Sequence, residues 1–194
     1  MEVQETGRTD TKQNLILSAL KLFADQGIDA VSMRTINNAA GTRNASAVHY
    51  HFGSKLGIIE AIIEFIKAEL DTYRADALSR LEKRVETGDD PSLREIMWAI
   101  FEPYYRLYVT PVYGRDALRF LARMHIDMSP EMQSILNRDP QNLALRFDTL
   151  IARALPDLPE QTRQARYLFF WTFMVQGFSS SRLLANTSFG DLRT

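Results

Sequence analysis

The sequence predicts an all-α protein of about nine helices, in which a small N-terminal three-helix unit precedes a larger helical body. Two observations predict this fold. Apolar residues recur at helical spacing almost throughout the 194 residues, and the period-two alternation of half-buried strands is absent. Glycine, proline and capping residues then divide the apolar pattern into segments of ordinary helix length.

The first two helices are bounded by clear local signals. Residues 1–10 are polar and are expected to form a flexible tail. The first helix is predicted over about Thr11–Gln26, because an apolar stripe precedes Gly27, a favoured residue after a helix end. The second helix follows the N-cap Ser32 and ends before Gly41. Its expected inward residues are Ile36, Ala39 and Ala40.

A short helix and a long helix come next. The short third helix is predicted over about Ala45–His51, with Asn44 as its cap and Gly53 as its breaker. Ser54 is expected to cap the fourth helix, whose apolar periodicity continues to about Val85. A long helix in this place connects the three-helix unit to the body.

Five further helices are predicted in the body. Ser92 and Glu95 have capping-box spacing at the start of the fifth helix, which Pro103 is expected to kink or end. Proline after a capping residue indicates the starts of two later helices. The remaining helices are predicted over about Arg115–Asp127, from Ser129-Pro130, from Asp139-Pro140 to Leu155, and from Pro159 to about Leu184.

Composition narrows the function classes. The chain has no cysteine, which excludes disulfides, thiolate metal sites and cysteine nucleophiles. Its apolar runs are too short to span a bilayer and its N-terminus has no signal-peptide pattern, so we expect no membrane association and a cytoplasmic location. The net charge is −1, yet residues 11–55 carry five basic side chains against two acidic ones. A mildly basic segment on a near-neutral chain is compatible with DNA binding, and also with chance.

The segment from Ser32 to Lys55 has the pattern of a helix-turn-helix. A short helix ends in Ala39-Ala40-Gly41, and a second presents small residues followed by polar aromatic ones. Small side chains let a helix backbone approach base edges, Ser46 can bond them, and Ala45 or Ala47 can touch a thymine methyl. His49, Tyr50 and His51 can reach phosphates or bases. Lys55 suits a phosphate, and Arg34 suits a phosphate on the other side of the groove or a base.

Two other interpretations of this segment were weighed. A similar helical pair with Ala-Ala-Gly occurs in proteins that do not bind DNA, and clustered histidine and tyrosine can form a solvated surface. A metal site on His49 and His51 is disfavoured, because residues two apart on a helix do not share a face. No metal is therefore predicted.

At these residues the sequence resembles the tetracycline-repressor (TetR) family. The resemblance covers about Leu15–Ile63 and is carried by Phe23-Ala24-Asp25-Gln26-Gly27, Ser32-Met33-Arg34-Thr35-Ile36, Ala39-Ala40-Gly41 and Val48-His49-Tyr50-His51-Phe52-Gly53-Ser54-Lys55. It implies that the third helix reads the major groove of a palindromic operator and that the protein is a homodimer. The predicted DNA-contacting residues are Arg34, Arg43, Asn44, Ser46, Ala47, His49, Tyr50, His51 and Lys55.

The resemblance implies a division into a helix-turn-helix domain, residues 11–55, and a helical effector-binding and dimerisation domain, residues 56–194. Three departures from the family pattern stand out. The turn from Gly41 to Asn44 is one residue longer than usual. Asn37 replaces the usual alanine, which is harmless if it faces solvent. Gly57 replaces a charged or bulkier residue in the first turn of the fourth helix, where glycine costs about 1 kcal/mol and is hypothesised to loosen the connection to the body.

The body contains many aromatic and methionine residues. Most are expected to pack in the core, but the middle helices hold more of them than one stripe needs. We therefore expect a pocket for a small apolar or aromatic effector. Arg119, Arg123 and His125 are possible polar anchors, although solvent exposure is the more ordinary fate of the two arginines. The predicted effector-binding residues are Trp98, Phe101, Tyr105, Phe120, Met124, Phe147, Trp171 and Met174.

The last predicted helix is apolar over a wide arc. One buried face cannot cover all the residues of this arc, which are Leu168, Phe169, Trp171, Thr172, Val175 and Phe178. Together with the helix from Pro140 to Leu155, it is predicted to form a four-helix dimer interface. Complete burial within one monomer is the alternative.

An enzyme is the main rival from another functional class, and the sequence opposes it. Only three histidines are present, and there is no Glu-x-x-His pair, phosphate-binding glycine loop or nucleophile elbow. No catalytic residue and no cofactor are therefore predicted. The predicted function is a ligand-responsive transcriptional regulator, most simply a repressor, with a ligand-binding or adaptor protein that lacks DNA binding as the alternative.

Overall fold

In the computed structural model, residues 2–42, 44, 46–126, 129–138, 142–181, 183 and 187–188 are described, with side chains from Thr11 onward. These residues confirm the all-α prediction and contain nine α-helices. The helices are α1 (Glu2–Gln26), α2 (Met33–Ala39), α3 (Ala47–Phe52), α4 (Lys55–Glu86), α5 (Leu93–Val109), α6 (Gly114–Ile126), α7 (Pro130–Leu136), α8 (Leu143–Ala154) and α9 (Glu160–Ser179).

Local capping signals locate several helix starts correctly. The Ser32 hydroxyl accepts a hydrogen bond from the Thr35 amide at 3.1 Å, and the Ser54 hydroxyl accepts one from the Gly57 amide at 3.0 Å. Ser92 and Glu95 form the predicted capping box at the start of α5. Each cap satisfies an amide that has no partner within its own helix. Sequence-local chemistry therefore sets these boundaries.

The first helix begins earlier than the sequence suggested. The backbone of residues 2–10, expected to be a tail, is the first part of α1. No proline interrupts this stretch, and a helix that is already nucleated extends at little cost per residue. The boundary at Gln26 is as predicted, and Gly27 adopts a φ of 88° beyond it.

The fifth helix passes through its proline. Pro103 is buried inside α5, which continues to Val109, so the expectation that the proline could end the helix is wrong. A proline removes one backbone hydrogen bond. Here Tyr104 and Leu107 beside it are also buried, and their packing holds the helix together across that point.

The ends of the last two helices differ from expectation. The helix α8 starts at Leu143, after Asn142 with a left-handed φ of 49°, whereas the predicted start at Asp139-Pro140 lies outside the described residues. The helix α9 ends at Ser179, ahead of the predicted Leu184. Gly177 and the serines that follow are poor helix formers, which accounts for the earlier end.

One continuous core joins the N-terminal helices to the body. Phe23 of α1 and Phe120 of α6 are fully buried and stack with ring centroids 6.2 Å apart. The helix α6 also packs against α5 and α9, while α4 contacts α1, α3 and α5. A displacement of α6 or α4 therefore alters the packing of the helices that support α2 and α3.

Among the described residues, none of the helices combines the length and apolar character that crossing a membrane requires.

Candidate nucleic-acid interface

The inward face of α2 contains a polar residue. Ile36 is buried as predicted, but Ala39 is exposed and Asn37 is 3% exposed. The Asn37 side-chain oxygen, Oδ1, accepts a hydrogen bond from the backbone amide of Val48 at 3.0 Å. Asn37 therefore does not face solvent, which was the condition for this departure to be harmless. Its amide joins α2 to the start of α3.

The turn between α2 and α3 is held by its own side chains. The Thr42 hydroxyl lies 3.1 Å from the carbonyl oxygens of both Asn37 and Asn44. The Asn44 side chain accepts a hydrogen bond from the Ser46 amide at 2.9 Å. This asparagine turn occupies residues that were expected to begin the helix, so α3 starts at Ala47 instead of Ala45.

The orientation of α3 divides the predicted DNA-contacting residues into exposed and buried ones. Ser46, His49 and Tyr50 are exposed, Tyr50 to 66%. Ala47 is only 4% exposed and packs into the core beside Val48, so it cannot present its methyl group to a base as predicted. Burying the small residue at this place lets α3 lie close to its neighbours.

Aromatic contacts shape the outer face of α3. The rings of Tyr50 and His51 meet edge-on at 5.1 Å, and His51 is half-buried beside Phe52 at 6.1 Å. Tyr50 is thereby restricted on one side, although most of its surface is exposed. A restrained aromatic side chain loses little conformational entropy when it binds a nucleic acid.

Two basic residues of this region lie in the first turns of helices. Arg34 is exposed in the first turn of α2. Lys55 is the first residue of α4, and its Nζ donates a hydrogen bond to the Asp29 carbonyl at 3.4 Å. A cation at the start of a helix, beside free backbone amides, suits a phosphate group. Asn44 is exposed as well, whereas Arg43 and Ala45 lie outside the described residues.

Gly57 has a steric function at this junction. A Cβ atom at position 57 would overlap the backbone carbonyl of Phe52. The close approach of the α3–α4 turn to the first turn of α4 therefore requires glycine. This geometry does not support a loosened connection, because the glycine permits tight packing there.

The predicted effector residues do not form one group. Phe120, Met124, Phe147 and Met174 are buried in the core, whereas Trp98 is 55% exposed and Tyr105 is 45% exposed. Phe101 lies between Trp98 and Phe178 at ring distances of 5.5 and 5.4 Å, and Trp171 is half-buried. A shallow cavity of about 350 Å³ lies instead at the α8–α9 turn and contains none of these eight residues. Its lining is Ala154, Leu155, Pro156, Asp157, Leu158 and Arg166.

A polar cluster in the body joins two residues predicted for the effector site, His125 and Trp171, to Tyr104 and Arg74, which the sequence did not predict there. The Tyr104 hydroxyl accepts hydrogen bonds from Trp171 Nε1 at 2.6 Å and from the Arg74 guanidinium at 3.3 Å. The His125 ring lies 4.0 Å from the Trp171 ring, and burial lowers the pKa of this histidine. These residues come from α5, α9, α4 and α6, so no short sequence motif could have brought them together.

Comparison with known proteins places both parts of the chain in one family. A profile described as "Bacterial regulatory proteins, tetR family" matches residues 15–62. A second profile, "Tetracyclin repressor-like, C-terminal domain", matches residues 98–194. The first match covers α2 and α3 with the flanking helices that hold them. The second covers half of the chain and the helices from α5 onward.

Similar proteins point in the same direction. The chain is 32% identical over 80 residues to the transcriptional repressor KstR2 of Rhodococcus jostii, an alignment that covers 41% of this chain and 39% of the relative. It is 28% identical over 96 residues to the repressor NicS of Pseudomonas putida, covering 50% and 42%, and 30% identical over 95 residues to the regulator AcrR of Shigella flexneri, covering 48% and 41%. The chain therefore matches about two fifths of the length of each curated relative.

A solved structure supports the whole fold. The crystal structure of a TetR-family transcriptional regulator from Rhodococcus sp. superposes with a TM-score of 0.59 at 13% identity, covering 89% of both chains. At this identity the likeness concerns the fold alone.

Proposed function

Because this chain belongs to the TetR family of bacterial transcription regulators, which are DNA-binding proteins and not enzymes, we propose that it is a repressor that binds a palindromic operator as a homodimer and is released by a small effector. The observation that carries the proposal is the outward face of α3. Ser46, His49 and Tyr50 are exposed there on a helix whose other side is fixed in the core. Two of the similar proteins are named as repressors, which supports the sign of regulation.

The proposed DNA contacts follow from exposure and chemistry. Ser46 and the two ring side chains of His49 and Tyr50 face base edges and neighbouring sugar and phosphate groups. Lys55 at the start of α4 and Arg34 at the start of α2 contact phosphates. Asn44 and half-buried His51 are placed at the edge of this surface, and Ala47 is left out because it is buried.

The proposed dimer uses α8 and α9. Leu168, Phe169 and Phe173 are 58%, 62% and 73% exposed along α9, and Leu145 of the neighbouring α8 is 61% exposed. Large apolar side chains at helical spacing are costly to leave in water, and a second copy can cover them. In such a dimer the two α3 helices must lie about 34–36 Å apart to enter successive major grooves.

The proposed effector response acts through α6. This helix contacts α1 on one side and α5 and α9 on the other, so it joins the DNA-binding helices to the body. An effector that prefers a displaced α6 would lower operator affinity by its differential affinity for the two arrangements, typically about 1–3 kcal/mol. The scattered positions of the predicted effector residues support no particular pocket. Trp171, beside the Arg74–Tyr104 hydrogen bond, is the one that adjoins polar groups.

A binding selection tests the proposal. Wild-type protein is used to select double-stranded DNA from a randomised pool, and the enriched sequence is then footprinted. We expect a palindrome protected over two successive major grooves, and a loss of at least about tenfold in affinity for Tyr50→Ala, since such contacts contribute about 1–3 kcal/mol. If the wild type enriches no sequence at low salt, the ligand-binding or adaptor alternative takes its place.

A further inference from the structure

We infer that Asn37 is a positioning residue for DNA recognition: from its buried place in α2, its side-chain amide caps α3 and fixes the angle at which α3 meets the operator. This residue touches no base or phosphate in the proposed interface. It acts on DNA binding through α3, so the inference rests on the proposed function.

The start of α3 lacks a cap of its own. The first amides of any helix have no partner within it, and a serine at the N-cap usually accepts one of them. Ser46 occupies that position with φ −104° and ψ 10°, but its side chain makes no capping hydrogen bond. The amide of Val48, the second residue of α3, is instead bonded by Asn37 Oδ1 at 3.0 Å. The cap is therefore supplied by the preceding helix.

Burial makes this hydrogen bond specific. Asn37 is 3% exposed and Val48 is fully buried, so water cannot replace the Asn37 oxygen without opening the α2–α3 packing. An amide left without an acceptor in such a place carries a desolvation penalty. A tilt of α3 towards solvent would relieve that penalty. The hydrogen bond thus couples the orientation of α3 directly to the side chain at position 37.

The backbone of Asn37 is hydrogen-bonded to the turn between α2 and α3. Its carbonyl oxygen accepts hydrogen bonds from the Thr42 amide at 3.2 Å and from the Thr42 hydroxyl at 3.1 Å. The same hydroxyl lies 3.1 Å from the Asn44 carbonyl oxygen. That oxygen also accepts a hydrogen bond from the Ala47 amide at 3.1 Å. Asn37 is consequently held by two hydrogen bonds from Thr42, which gives its amide a defined direction.

The angle of α3 matters because Tyr50 and His49 extend far from the helix axis. A small rotation at the base of α3 moves the ends of these side chains by more than a hydrogen bond can tolerate. Bonds to base edges depend on that geometry, whereas attraction to phosphates depends on it much less. Loss of the Asn37 cap should therefore reduce sequence discrimination more than general affinity for DNA.

The test compares full-length wild type with Asn37→Ala on three DNAs at a temperature well below both melting transitions. The probes are the sequence that the wild type selects from a randomised pool, the same sequence with one base pair changed in each half-site, and sonicated genomic DNA. We expect Asn37→Ala to bind the selected sequence at least about tenfold more weakly, to discriminate less against the changed sequence, and to bind sonicated DNA within about twofold of wild type.

The matched control is Val31→Ala. Val31 is fully buried before α2, so its truncation destabilises the same helices without touching the Asn37–Val48 hydrogen bond. It should lower the melting temperature while leaving the discrimination ratio unchanged. An unchanged ratio for Asn37→Ala would overturn the inference. The selection step itself shows whether the wild type binds DNA, so a failure of the proposed function is distinguished from a failure of this inference.

Hydrogen exchange on the wild type keeps the inference testable if Asn37→Ala does not fold. The Val48 amide should exchange as slowly as the core amides of α1 and α4, because its bond to Asn37 opens only when α2 and α3 separate. Exchange as fast as that of an exposed first-turn amide would overturn the inference.

Discussion

The Arg119 guanidinium donates a hydrogen bond to the carbonyl oxygen of Ala24 at 3.0 Å, joining the middle of α6 to the last turn of α1. The same carbonyl accepts a second bond from Arg123 Nε at 3.1 Å. Arg119 also pairs with Asp25 at 2.5 Å and with Asp116 at 3.0 Å. Two cations thus meet the end of a helix where unpaired carbonyls and the helix dipole are negative. The two arginines connect body and DNA-binding helices: Arg119 is largely buried, whereas Arg123 is exposed, as expected of a solvent-facing arginine.

Replacing Arg119 by methionine is expected to lower the free energy of unfolding by about 1–3 kcal/mol, because a nearly buried charged group loses its bonds and Asp25 and Ala24 lose a donor. Urea unfolding followed by circular dichroism measures this change. Arg106→Met is the matched control, since Arg106 is more than half exposed and pairs with Glu102 along the same helix. Its loss should cost less than about 0.5 kcal/mol. Equal losses in the two variants would contradict the prediction.

Lys55→Met should weaken DNA binding uniformly across sequences. The proposed phosphate contact contributes no base discrimination, so affinity for selected and for sonicated DNA should fall by a similar factor. The slope of log affinity against log salt should decrease by about 1 for each Lys55 in the complex. Fluorescence anisotropy at four salt concentrations measures the slope. Lys83→Met, at the opposite end of α4, should leave it unchanged, and an unchanged slope for Lys55→Met would remove this residue from the interface.

The parts of the fold that the sequence predicts are those determined locally. Ser32, Ser54 and Ser92 cap the helices that follow them, because a serine side chain and the amides it bonds are only a few residues apart. The apolar periodicity likewise separates the long α4 from the short helices before it. Such signals need no knowledge of the tertiary structure.

Properties determined by packing across the chain could not be predicted in the same way. Pro103 stays inside α5 because tertiary burial outweighs its local preference. Asn37 is buried where its side chain accepts a hydrogen bond from the amide of Val48, 11 residues later in the chain. The orientation of α3, and with it the burial of Ala47, follows from that contact and from the long turn. The exposure of Trp98 and Tyr105 depends on which face of α5 the other helices cover. The number and positions of aromatic residues in the sequence do not reveal that face.

Phe173→Arg should dissociate the proposed dimer. Phe173 is 73% exposed and lies 6.3 Å from the ring of Phe169, and a charge placed there would be buried without a partner against a second copy. Sedimentation velocity should show a monomer where the wild type is a dimer, and operator affinity should fall with it. Val109→Arg on α5 is the control, because Val109 is 54% exposed and lies outside the proposed α8–α9 interface. A dimeric Phe173→Arg protein would place the interface elsewhere.

The stability of the protein should fall as the pH drops from about 8 to 5.5, and His125 should account for much of the change. Burial lowers the pKa of His125, while the 2.8 Å hydrogen bond between its Nδ1 and the Leu121 carbonyl opposes that shift. The unfolded chain, with an ordinary histidine pKa of about 6.5, binds the proton more readily than the folded chain. Protonation therefore favours unfolding. The contribution of His125 is complete above the unfolded pKa and is lost as the pH falls from that value through the lower pKa of the folded protein.

One proton limits the slope to about 1.4 kcal/mol per pH unit. His125→Gln should flatten the dependence of the unfolding free energy on pH, because a glutamine can still donate to the Leu121 carbonyl but does not titrate. His49→Gln is the matched control for the substitution itself, since it makes the same replacement at an exposed position. Urea titrations at pH 8, 7, 6 and 5.5 compare the three proteins. If His125→Gln keeps the wild-type slope, the proton is taken up elsewhere, and the ring packed against Trp171 is not the group that senses pH.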